Sequence, residues 1–143
     1  MAIPVQPTSA RATRSLLTTL TAALIAGGIA TVLNLLLFWL GGALVGSIDT
    51  LEPAGSAFRP LPFYFVVIAS VVPMLAAGLG LWLFERFLPY GTRIFQVLAT
   101  LLVVLSLAGP FTGQVATTAA AIVLALMHVV EGAVMIWYLT LRQ

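Results

Sequence analysis

Four long apolar runs, at about Leu16–Leu40, Leu61–Phe84, Ile94–Pro110 and Val115–Leu141, dominate this chain. A helix needs ~20 mostly apolar residues to cross the hydrocarbon core of a bilayer. Inside lipid the backbone must satisfy its own polar groups, and a helix does so within one segment. Hydrophobic residues make up 62% of the chain and charged residues 7%, against ~25% charged in an ordinary soluble domain. A soluble fold of 143 residues could not hide that much apolar surface. The expected fold is therefore an all-α membrane protein, an antiparallel up-down bundle of four transmembrane helices. Residues 1–143 read as a single integral membrane domain, because no polar stretch is long enough to fold alone.

All six basic residues are arginines, and their placement carries an orientation. Arg11 and Arg14 precede the first run, Arg86 and Arg93 lie between the second and third, and Arg142 follows the fourth. Arg59 alone falls between the first and second. The positive-inside asymmetry then puts both termini in the cytoplasm, which requires an even number of spans. Residues 1–13, with Pro4 and Pro7, are expected to be a disordered cytoplasmic tail. A signal peptide also opens on positive charge, but its apolar core is only ~7–15 residues. Here the first run continues to Leu40, so it reads as a retained helix. Trp39, Phe63, Tyr64, Trp82, Trp137 and Tyr138 mark run ends, where amphipathic rings sit at headgroup depth.

The longest connection, Gly41–Pro60, holds Asp49, Glu52 and Arg59, and its moderately apolar part, Ala43–Leu51, leaves two readings open, a short helix on the membrane surface or an irregular loop. The connections Glu85–Arg93 and Pro110–Gln114 are short, which makes neighbouring helices antiparallel. Small residues recur at four-residue spacing: Ala22, Ala26 and Ala30, with Ala23, Gly27 and Thr31 on the next row, and Ala76 with Gly80. Such rows let helices approach closely, within one bundle or between copies.

The chemistry is sparse. His128 lies near the middle of the fourth run, and Glu131 follows at i+3 on the same helix face. Titratable groups at this depth are costly, so both should face the bundle interior. Two readings stay open: polar glue between helices, or a site that handles a proton or a ligand. Asn34 in the first run, Ser70 in the second and Ser106 in the third are the other polar groups at comparable depth, and with His128 they would line a cavity open to the outside. Pro73 interrupts the second run and shapes it, or serves as a hinge. No catalytic residue, cofactor site or metal site is expected. The chain has no cysteine, and two ligands at i and i+3 make a poor metal site without further donors. Nucleotide loops, nucleophile triads and a basic nucleic-acid patch are absent from the sequence.

Leu105-Ser106-Leu107-Ala108-Gly109-Pro110, a threonine-containing turn, and Leu126-Met127-His128 followed by a small-residue helix end resemble an uncharacterised family of small bacterial four-span membrane proteins, a domain of unknown function. Asn34 and the arginine-flanked first helix are similar to it as well. The resemblance implies a fold and a cell-membrane location but no activity. It also implies that His128 belongs to the shared design, because a small apolar residue stands in that family where this chain has Glu131. The expected role is a non-enzymatic structural or accessory membrane component. Its partners would be the lipid bilayer and either a second copy or another membrane protein, and no nucleic acid. The alternative is a binder or carrier of a small hydrophobic or protonated ligand, in an outward-facing cavity near His128.

Overall fold

A computed structural model describes residues 14–52, 55 and 57–142. Four helices carry the chain: α1 (Leu16–Val45), α2 (Phe63–Phe87), α3 (Gly91–Ser106) and α4 (Thr118–Ile136). Each is long and apolar enough to cross a membrane, when α3 is taken with the 3-10 turn that extends it to Phe111 and α4 with its last turn to Leu141. The tail expected over residues 1–13 lies outside the described residues.

Local chemistry sets the ends. Ser15 caps α1, its hydroxyl accepting from the Thr18 N–H at 3.1 Å. Thr117 caps α4 by accepting from the Ala120 N–H at 3.2 Å. α4 ends in a π-helical turn, Trp137–Leu141. α2 runs on without interruption through Pro73.

Small residues bring α1 against α2. A Cβ on Gly78 would fall 2.6 Å from the Ala23 Cβ, and one on Gly27 would fall 3.5 Å from the Met74 Cβ. Contacts therefore move up α1 as they move down α2, and the two helices run in opposite directions. Ala26 and Ala30 of one small-residue row and Ala23 and Gly27 of the other are buried, whereas Ala22 and Thr31 are half-buried. The Ala76 and Gly80 row of α2 is not the one that meets α1. Gly78, Met74 and Ser70 face α1, whereas a Cβ on Gly80 would meet nothing within 4 Å.

α4 also packs on α1, with Gly41 against Val123, and α3 meets α4 where Gly132 faces Val103. One end of the bundle is tied by polar groups. Arg14 donates to the Leu139 carbonyl at 2.9 Å and pairs with Glu85 at 3.8 Å, and Glu85 accepts from Thr92 at 2.9 Å. Gln96 donates to Thr140 at 2.8 Å.

At the opposite end the surface-helix reading of Ala43–Leu51 does not hold. α1 continues to Val45 and stops at Gly46, whose φ of +84° is the left-handed conformation that ends helices. The next residues form a strand, β1 (Asp49–Leu51), paired antiparallel with β2 (Phe58–Pro60). Thr50 also bridges Val115, the Leu51 N–H donates to the Gln114 carbonyl at 2.9 Å, and the Ala116 N–H donates to Asp49 at 3.0 Å. A strand wins here because both of its edges find backbone partners, and because Ile48 is drawn into the core with only 4% of its surface exposed.

Candidate functional site

Two apolar clusters make up the core. One contains Ala23, Ala26, Met74, Leu81, Phe95 and Leu139, and the other Ile48, Val66, Ala120, Val123 and Met127. Asn34 of α1, Ser70 of α2 and Glu131 of α4 lie in a polar layer between them. Asn34 and Ser70 are among the few buried polar residues described, at 4% and 1% exposure. The Asn34 side-chain amide donates to the Ser70 hydroxyl at 3.0 Å and to Glu131 Oε2 at 3.2 Å.

A cavity of about 260 Å³ opens beside this layer. Asn34, Ser70 and Glu131 line its polar side with His128, and Leu61, Phe65, Val66, Leu124 and Met127 line the rest. Phe65 is 47% exposed, so the cavity reaches the bundle surface between α2 and α4. Leu61, in the connection to α2, brings it toward the loop end of the bundle. No residue of α3 lines it.

Two oxygens in this layer have no hydrogen-bond partner: Asn34 Oδ1 and Glu131 Oε1, both buried. Pro73 adds a third feature of the same sign. It has no N–H to give the carbonyl four residues back, which belongs to Ala69, and Ala69 also lines the cavity. The site is therefore rich in acceptors in an apolar setting. Buried polar groups in native proteins are nearly always paired, so orphaned acceptors beside a cavity mark a place for a donor.

The residues picked out by sequence are placed as follows. Asn34, Ser70, His128 and Glu131 all line one cavity. Ser106 does not: its hydroxyl donates to the Val103 carbonyl of its own helix at 2.7 Å. The i+3 spacing puts His128 and Glu131 on one side of α4, but they do not bond to each other. His128 Nδ1 is 2.7 Å from the Leu124 carbonyl. A carbonyl only accepts, so Nδ1 carries a hydrogen and Nε2 is the ring atom left for another partner. The actual partner of Glu131 is Asn34, on another helix, which i+3 and i+4 spacing has no means of revealing. Among the described residues no group of three or more His, Cys, Asp or Glu could hold a metal ion.

Comparison with known proteins finds one family, described as "Family of unknown function (DUF6069)", matching residues 11–143. No curated protein and no solved structure matches.

Proposed function

Since the chain belongs to this family of unknown function, we propose from its geometry that it is a non-enzymatic membrane protein that binds a small lipophilic molecule carrying a hydrogen-bond donor, in the cavity between α1, α2 and α4. One observation carries the reading. Two buried acceptors, Asn34 Oδ1 and Glu131 Oε1, stand unpartnered at a cavity that is otherwise mostly apolar. An alcohol, phenol or amine would supply the missing donor and place its apolar body against Phe65, Val66 and Met127. His128 Nε2 offers a further polar contact at the same wall. A purely structural role would be served better by a packed centre than by a cavity with orphaned polar atoms.

The arginine distribution supports an orientation with both termini in the cytoplasm, which turns the loop end of the cavity outward. The exposed face of Phe65 gives a second way in, from the side of the bilayer. Release on either side would make the protein a carrier, and retention would make it a receptor or accessory subunit.

The test uses 4-propylphenol and its methyl ether, which share an apolar body and differ in the donor. The phenol is expected to raise the thermal unfolding temperature of the detergent-solubilised chain, and the ether is not. Ala69→Phe, which fills the cavity from an exposed position, should abolish the difference. Equal effects of phenol and ether, or an undiminished phenol effect in Ala69→Phe, would refute donor recognition at this site.

A further inference from the structure

The two ends of the bundle differ in charge. The end that holds the start of α1 and the last turn of α4 carries Arg14, Arg86, Arg93 and Arg142 against Glu85, which is already engaged by Arg14 and Thr92. The other end carries Asp49 and Glu52 against Arg59, and Glu52 and Arg59 pair with each other. Among the described residues no carboxylate lies within ion-pair distance of Arg142.

Arg142 is nevertheless held in place. In the π-helical turn the Arg142 N–H reaches back to the Trp137 carbonyl at 3.0 Å. This brings the guanidinium over two rings of its own helix, 5.7 Å from the Trp137 centroid and 5.0 Å from that of Tyr138. A cation stacked this way keeps its in-plane N–H donors free. Beside it, between this turn and the first turns of α1, runs an open groove of about 550 Å³. From α1 it is lined by Thr18 and Thr21 and by the apolar Leu17 and Ile25. Leu17 is 77% exposed and Ile25 47%, so an apolar track leads from the guanidinium along the helix.

We propose that this groove seats an anionic phospholipid, with its phosphate on Arg142 and an acyl chain along Leu17 and Ile25. The guanidinium fork matches phosphate oxygens in pairs. The excess of arginine at this end selects an anionic headgroup over a zwitterionic one. The aromatic rings and the π-helical turn fix the arginine beforehand, so less freedom is lost when the headgroup arrives. This site is at the opposite end of the bundle from the cavity and does not depend on how the cavity is used.

The experiment is native mass spectrometry of the full chain, released from detergent with phosphatidylglycerol or phosphatidylcholine added. The parent should retain phosphatidylglycerol in preference. Arg142→Gln should cut that retention roughly five-fold, the factor for one basic residue near an anionic surface, and leave phosphatidylcholine unchanged. Arg93→Gln, a basic residue outside the groove, should have little effect. Thr21→Phe fills the groove at an exposed position without altering charge and should also release the lipid; it carries the test alone if Arg142→Gln does not fold. Retention equal to the parent in Thr21→Phe overturns the proposal. So does an Arg93→Gln loss as large as that of Arg142→Gln, which would mean diffuse surface charge, or full displacement by inorganic phosphate at matched ionic strength.

Discussion

Glu131→Leu should leave the protein as stable as before, or more so, although it removes the one carboxylate in the polar layer. The reasoning counts what Glu131 gives and what it costs. It gives the bond from Asn34 at 3.2 Å. Side-chain hydrogen bonds between membrane helices average about 0.6 kcal/mol, so the loss is of that size. Asn34 and Ser70 keep their bond to each other at 3.0 Å, so neither is stranded. Against this, Glu131 Oε1 is buried with no partner, a condition that costs about 1–3 kcal/mol. Leucine removes that cost and places apolar atoms against Leu124 and Met127. The balance is a gain of about 1 kcal/mol, in line with the usual result of replacing buried ionisable groups by apolar ones. Unfolding by sodium dodecyl sulfate, followed by tryptophan fluorescence in mixed micelles, measures it. A loss of more than about 1 kcal/mol would refute the argument and show that the glutamate is polar glue. A gain would mean the carboxylate is kept at the expense of stability, as residues of binding sites often are.

Three further outcomes are expected. Gly78→Ala should lower the unfolding midpoint by the equivalent of about 1–3 kcal/mol, because its Cβ would sit 2.6 Å from the Ala23 Cβ, whereas Gly80→Ala, in open space, should be neutral or mildly stabilising; equal effects would refute the α1–α2 contact. His128→Gln should change thermal stability by less than about 0.5 kcal/mol, since the ring bonds only to a carbonyl of its own helix, yet it should weaken 4-propylphenol binding; a large stability loss with unchanged binding would remove His128 from the site. Single cysteines in place of Thr112 and Leu88, both exposed and at opposite ends of the bundle, should react with an impermeant thiol reagent in intact cells only at 112, and labelling at 88 would overturn the orientation.

The helices were legible because hydrophobicity at that length admits few structures, and their four runs agree with the observed elements to within a few residues. The cavity's membership was legible in part. Asn34, Ser70, His128 and Glu131 stand out because polar groups are rare in such runs. Their pairing was not legible. Asn34 and Glu131 meet across helices, at a register set by Gly41 against Val123 and by the small residues between α1 and α2. The strand at Asp49–Leu51 was hidden for a related reason. It depends on backbone bonds to residues 114–116, far away in sequence, and its own length is too short for periodicity to register.

The position of the cavity follows from unequal helix lengths. α3 has 16 residues, or ~24 Å of helix, and 21 residues with its 3-10 extension to Phe111, against 30 residues and ~45 Å for α1. Near its close contact with Gly132, at Val103, α3 is almost at its end. From there toward the loops α2 and α4 flank α1 with no α3 residue between them at the cavity, and the small residues that draw α2 onto α1 lie on the other side of the polar layer. A gap between α2 and α4 is the geometric result, and the side chains around it decide what the gap can hold. Had Asn34 and Glu131 been leucines, the same gap would be a lipid-filled crevice with no selectivity. Lengthening α3 by one apolar turn before Gly109 should therefore be the most direct way to close the site without changing any residue that lines it. If such an insertion leaves 4-propylphenol binding intact while the protein still folds, the gap between α2 and α4 is not where the ligand sits.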